Sequence, residues 1–278
     1  MIANGQVQLK GQGVNNNQGQ IGSLQDQLII DAGQGLFSNQ SGNAQAKKDL
    51  TVTAQWMDNQ QGQINSQSKI ELVSQQYINN LEGLIAADLG LKLNSLGLNN
   101  NQGQIGSAQG DVVLIAGNAA VSNQAGTIVS GKDLTLTADQ LDNSYKGQIN
   151  SQNNLEIITT KDINNGSGVI AANQQLKLNS QGLNNSVGQI GTLQGNLLID
   201  TGSQLLNNQQ GVIQSSQDLH LNATGLDNTQ GQISSKQQLQ LDSGGQLLNN
   251  HQGTLSAENL KIDSGKLDNN QGLIQAQQ

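Results

Sequence analysis

Leu98-Asn99-Asn100-Asn101-Gln102-Gly103-Gln104-Ile105 is the stretch on which the fold turns. An apolar residue leads, Asn follows, Gly stands five places after the leader, and an apolar residue closes two places later. The pattern returns at Val14 to Ile21, Leu183 to Ile190 and Leu226 to Ile233, and thirteen versions lie between Val14 and Ile274. Self-similarity at a fixed period marks a repeat array, which grows by adding units and has no single core to divide.

The repeating glycines are Gly19, Gly42, Gly62, Gly83, Gly103, Gly126, Gly147, Gly168, Gly188, Gly211, Gly231, Gly253 and Gly272, in steps of 19 to 23 residues. Two residues after each comes Ile, with Ala44 and Leu255 as the exceptions. Five before it comes an apolar residue such as Phe37, Met57, Ile78 or Leu206; Leu141 is six before, in the one coil with an insertion. Further on comes an alternating pair such as Leu50 and Val52 or Leu176 and Leu178. Three short apolar segments of period two, punctuated by Gly and Asn, predict three short strands per coil with one face buried, and disfavour helix. Proline is absent from all 278 residues, as suits a chain made almost wholly of paired strands, since Pro cannot donate to a ladder. The fold class expected is all-β: a right-handed parallel β-helix, or solenoid, of about thirteen coils of roughly 21 residues. At strand spacing it would make a rod on the order of 60 Å long.

A longer period overlies the first. The 23-residue steps follow Gly19, Gly103 and Gly188, every fourth coil. Gly19-Gln20-Ile21-Gly22-Ser23 echoes in Gly103-Gln104-Ile105-Gly106-Ser107 and Gly188-Gln189-Ile190-Gly191-Thr192. Four coils therefore form a superrepeat, and the extra residues are expected to bulge as a small loop on one edge. Ile2, Val7 and Leu9 match the places of Ile170, Leu176 and Leu178. Residues 1–278 are accordingly expected to be a single β-helical array, cut within a coil at both ends.

Composition narrows the function classes. Hydrophobic residues make up 34% and aromatics 1%, so stacking platforms for bases or sugars are nearly absent. The net charge is −8, and every one of the twelve cations is Lys. With no Arg and no basic patch, nucleic acid is not an expected partner. No run approaches the roughly 20 apolar residues of a membrane span, so insertion into a membrane is not expected. Cysteine is absent, which fits either a reducing compartment or an exported chain that must stay unlinked.

Asn recurs in each coil, three residues before the Gly: Asn16, Asn39, Asn59, Asn80, Asn100, Asn123, Asn165, Asn185, Asn208, Asn228, Asn250 and Asn269, with Asn143 four before in the inserted coil. Stacked coils would set these amides one above another in a structural ladder, as in stacked sheets. Asn also tolerates the left-handed conformation that turns need. Asp58, Asp142, Asp227 and Asp268 recur beside them. Asp142 and Asp227 are four coils apart, roughly 19 Å at strand spacing. That is too far for the about 5 Å of a retaining acid pair or the about 9.5 Å limit of an inverting one. They read as turn residues bonding their own backbone. His220 and His251 lack metal-ligand spacing. No P-loop, nucleophile elbow or calcium nonapeptide occurs. No catalytic residue, cofactor site or metal site is expected. Of the four aromatic residues, Phe37 is expected to face the core, whereas Trp56 and Tyr77 fall in adjacent coils as a candidate surface patch.

The full repeat, Leu-Asp/Asn-Asn-x-x-Gly-x-Ile-x-Ser/Ala followed by Leu-x-Leu, resembles the filamentous haemagglutinin repeat. It is clearest at Leu226-Asp227-Asn228-Thr229-Gln230-Gly231-Gln232-Ile233-Ser234-Ser235 with Leu239 and Leu241. The similarity covers essentially the whole chain. Members of that family are large bacterial exoproteins of the two-partner secretion pathway, among them adhesins and contact-dependent growth-inhibition toxins. The resemblance implies a secreted filament displayed on the bacterial cell surface and exported by an outer-membrane two-partner secretion transporter. It also implies that receptor-binding and toxin regions, which meet the target-cell or host receptor, lie outside the repeats.

The function expected is therefore a structural stalk segment that extends a binding or toxin module, not an enzyme. An alternative is that the surface of the array itself binds host glycan or matrix. A polysaccharide-cleaving β-helix would need clustered acids and bases, commonly with Arg or a metal, and the spacing provides none.

Overall fold

The computed structural model describes residues 1–277. The chain forms two compact units, Met1–Asp139 and Gln140–Gln278. Both are parallel β-solenoid, with about thirteen coils of roughly 21 residues in all and no helix among the described residues. None is therefore long and apolar enough to cross a membrane.

One coil shows how the sequence produces the fold. After Gly62 the chain runs through a first strand Gln63–Ser66, a second Lys69–Ser74 and a third Tyr77–Asn79. Alternate residues turn inward, so Ile64, Ile70, Leu72 and Ile78 are buried while Gln63, Lys69 and Tyr77 are exposed. A lone coil cannot cover its inward row, and only stacking removes it from water. Each fully buried Leu or Ile then contributes about 1.5–3 kcal/mol.

In the first unit the first strands align Ile21, Ala44, Ile64, Ile85, Ile105 and Ile128 in one inward column. The second strands align Leu28, Leu50, Ile70, Leu91 and Val112. The third align Val14, Phe37, Met57, Ile78, Leu98 and Val121, with the Phe37 ring fully buried. The second unit repeats this with Ile149, Ile170, Ile190, Ile213, Ile233, Leu255 and Ile274 on its first strands. Its third strands carry Leu141, Ile163, Leu183, Leu206, Leu226, Leu248 and Leu267.

Small side chains occupy the corners, where the chain turns too sharply for bulk. Ser66 Oγ donates to the Lys48 carbonyl at 2.6 Å and accepts the Ser68 N–H at 2.9 Å, closing the corner after the first strand. Ala46 and Ala87 take the same place in the neighbouring coils.

Two placements differ from the sequence reading. The extra residues of the 23-residue coils form no single loop; they divide between two corners. Ile105 and Val112 are seven residues apart where Ile85 and Leu91 are six, and Leu114 and Val121 are seven apart where Leu93 and Leu98 are five. The second unit does likewise between Ile190 and Leu197 and between Ile199 and Leu206. A one-residue slip along a strand would expose its whole inward row, so slack is taken up only where register is free. Ile2, in turn, does not occupy the place of Ile170. It pairs with Gly22 and is exposed, because Ile2 and Val7 are one residue closer than Ile170 and Leu176.

Candidate functional site

The most regular side-chain chemistry lies at the turn after the third strand. Gly103 N–H donates to the Asn100 carbonyl at 3.0 Å, and the residue before the glycine, Gln102, has φ 56°. Positive φ at the third position is the sign of a type II turn. The left-handed residue is thus not the Asn, as its tolerance for that conformation suggests, but the one two places later. Gln18, Ser41, Gln61, Glu82 and Ala125 take it in the first unit, and Ser167, Val187, Gln210, Gln230, Gln252 and Gln271 in the second.

The Asn is freed for another task. Asn39 Nδ2 donates to Asn59 Oδ1 at 2.7 Å, and the series continues through Asn80 and Asn100 to Asn123, each at 2.7 Å; Asn16 begins it at 2.6 Å. The second unit carries its own series from Asn143 through Asn165, Asn185, Asn208, Asn228 and Asn250 to Asn269, at 2.7 to 2.8 Å. From Asn39 to Asn100 in the first unit each donor nitrogen also reaches two carbonyls, those of Gly42 and Gln63 for Asn39. From Asn39 to Asn250 these side chains are fully buried, a placement that satisfied amides permit.

The repeating glycine follows from the same geometry. A Cβ on Gly126 would stand 2.1 Å from the Asn100 carbonyl oxygen and 2.6 Å from Asn123 Oδ1. The residue is glycine because coils close on one another there, not because its φ is unusual.

A second polar series, one residue earlier, escaped the sequence reading beyond its aspartates. Asp58, Asn79 and Asn99 each accept the N–H two residues on, and so do Asp142, Asn164, Asn184, Asn207, Asp227 and Asn249. Across coils Asn79 donates to Asp58 and Asn99 to Asn79, both at 3.0 Å. Asn184 donates to Asn164 at 3.0 Å. Here the later coil donates to the earlier, whereas in the inner series the earlier donates to the later. The signal was present as Asn, Asp or Ser at every such place. Burial pushes the Asp227 carboxyl up, but hydrogen bonds from the Thr229 hydroxyl, the Gln209 amide, the Thr229 N–H and the Asn249 amide outweigh it and hold the pKa below the usual carboxylate value.

Trp56 and Tyr77 stack, with ring centroids 6.1 Å apart and planes 17° from parallel, and both are more than 40% exposed. Elsewhere the surface carries scattered ion pairs, such as Lys92–Glu71 at 3.4 Å and Lys177–Glu156 at 2.9 Å, at corresponding places in the two units. Lys48 donates to Asp26 and holds that exposed carboxyl below its usual value. The shallow groove bordered by Asp49, Lys69, Glu71, Lys92 and Asp111 contains the first of these pairs. His220 lies on a second strand and His251 in a turn. Among the described residues no group of three His, Cys, Asp or Glu is placed to hold a metal ion. The recurring acids Asp58, Asp142, Asp227 and Asp268 each accept the N–H two residues on, so they are engaged by their own turns.

Six segments match the family described as the haemagglutinin repeat: residues 2–36, 30–88, 108–167, 157–194, 192–251 and 245–278. Among characterised proteins and solved structures, none matches the chain.

Proposed function

Starting from the premise that the chain belongs to the haemagglutinin repeat family, we propose that it serves as a stalk segment of a large secreted bacterial surface exoprotein. In this reading the coils hold a binding or toxin module away from the cell, and export runs through an outer-membrane two-partner secretion transporter. The module, adhesive or toxic, meets its receptor on a host or target cell.

The observation that supports this reading best is the sameness of the coils. The Asn-to-Asn bond, the glycine under it and the aliphatic column recur with little change in both units. Catalysis concentrates unlike groups at one place, whereas a spacer needs each storey to accept the next. Removing residues 184–267, one four-coil superrepeat, from the full exoprotein joins Leu183 to Asp268, equivalent places in the coil. The expected outcome is normal secretion and receptor binding with the reach of the distal module shortened by roughly 19 Å. Loss of receptor binding in that deletion, with the protein still secreted and folded, overturns the stalk.

A second reading, adhesion by the array surface itself, is favoured by one observation: the exposed Trp56–Tyr77 stack interrupts the uniformity.

A further inference from the structure

We propose that Trp56 and Tyr77 form a binding platform for a neutral pyranose oligosaccharide lying along the coil axis.

The site departs from the repeat. Outward-facing residues of the third strands in the first unit run Leu36, Trp56, Tyr77 and Gly97, paired coil to coil. The corresponding residues of the next superrepeat, Gln140, Asp162 and Gly182, keep the glycine and lack both rings. The chain holds one Trp and two Tyr in 278 residues, and it sets the Trp against one of the Tyr on an exposed face. Core packing does not require this, because both rings face outward while Met57 and Ile78 fill the inward column.

Gly97 seats the platform. A Cβ there would stand 2.5 Å from Tyr77 Cε1 and 2.9 Å from Cδ1, so the ring occupies space that only glycine leaves open. Leu36, 43% exposed, continues the apolar strip on the other side of Trp56. The strip thus spans three coils, each about 4.8 Å from the next.

The surroundings select the ligand. Two residues along each strand come Asp58, Asn79 and Asn99, a half-buried row of carboxylate and amide groups bonded to one another and to their turns, while Ser38 at the same place is buried. An apolar ring surface beside a polar row matches a pyranose, whose C–H face is apolar and whose rim is hydroxyl. No Lys stands among these outward residues, and Asp58 is their one charge. An acidic sugar would meet that carboxylate with no cation to offset it, so the platform favours a neutral one.

Trp56, the sole tryptophan, reports on the site directly. The test titrates the whole chain with neutral oligosaccharides of glucose, galactose, mannose, xylose and N-acetylglucosamine, and with oligogalacturonate as the acidic member. The expected result is a saturable change in Trp56 emission with at least one neutral oligosaccharide. Tyr77→Ala should weaken that binding at least tenfold, and Tyr77→Phe should retain it. Gly97→Ser, which displaces the Tyr77 ring without adding a contact of its own, should also weaken it. Circular dichroism of each variant checks that the strands remain. No response to any neutral member overturns the proposal, and so does calorimetric binding that is unchanged in Trp56→Ala. Binding of oligogalacturonate alone overturns it as well. None of these results bears on the stalk reading, which the coil deletion tests separately.

Discussion

Asn185 Nδ2 lies 2.7 Å from Asn208 Oδ1, and the same nitrogen reaches the carbonyl oxygens of Gly188 at 3.3 Å and Val212 at 3.2 Å. Three acceptors thus converge on one buried NH2 group, and the oxygen of the same amide accepts from Asn165 at 2.8 Å. Asn185→Asp puts an oxygen where the donor stood, facing three others. The loss should be about 3–5 kcal/mol, the scale of an uncompensated buried charge. Asn185→Ala, which leaves neighbours unpaired and adds no charge, should lose about 1–3 kcal/mol. At roughly 2–4 °C per kcal/mol for a chain of about this size, thermal melts separate the two. Equal losses would mean that donor polarity is immaterial and that only shape matters at this corner.

Glycines in this chain serve two separate purposes, and substitution distinguishes them. A Cβ on Gly211 would lie 2.2 Å from the Asn185 carbonyl oxygen and 2.6 Å from Asn208 Oδ1. Gly202 has φ 55° and its nearest such contact is 3.6 Å away. Gly211→Ala should force coils apart and cost about 3 kcal/mol, at the upper end for overpacking. Gly202→Ala should cost about 1 kcal/mol of backbone strain. Urea midpoints for both variants check the order; the reverse order contradicts the close-approach account.

Much of this is legible in the amino-acid order, and the exceptions have physical reasons. The columns through Ile105 and Leu98 follow from spacing alone, because burial repeats wherever aliphatic residues do. The division of slack between two corners was also written in the sequence, as seven residues from Ile105 to Val112 against six from Ile85 to Leu91. It becomes meaningful only once the register names the aligned pairs. The outer amide row was hidden because Asn79, Asp58 and Ser38 are different residue types doing related work. The positive φ of Gln102 leaves no signature, since Gln has no preference for that conformation. The mutual approach of the Trp56 and Tyr77 rings depends on rotamers, which spacing does not fix.

Val187 is the costliest occupant of the left-handed turn position. Its φ is 57°, its side chain is β-branched, and it is 57% exposed, so burial returns little for the strain. Gln210 and Gln230 hold the same conformation without branching at Cβ. Val187→Asn keeps an unfolded-state entropy like that of other side-chain residues while tolerating the conformation. It should stabilise by about 1 kcal/mol, raising the midpoint by a few degrees. Val187→Gly should gain less, because glycine loses more freedom on folding. An unchanged or lower melting temperature for Val187→Asn would show that the turn carries no strain at this residue.

Asp227 links the outer row to pH. Its Oδ1 accepts the Thr229 hydroxyl at 2.6 Å, the Thr229 N–H at 3.0 Å and the Asn249 amide at 3.2 Å, and its Oδ2 accepts the Gln209 amide at 2.6 Å. These donors favour the ionised form and depress the folded-state pKa. The unfolded value is about 3.9, so the contribution is fully present above it and is lost as pH falls through the lower folded value. Asp227→Asn has no charge to lose, and the neighbouring coils already carry Asn207 and Asn249 at this place. The variant should therefore melt slightly below the parent at pH 7, and the gap should begin to narrow as both are taken below the unfolded value, to pH 3. Melting curves at pH 7, 5 and 3 measure it; a gap that stays constant or widens on acidification would remove the carboxylate charge from the account and leave the hydrogen-bond geometry alone.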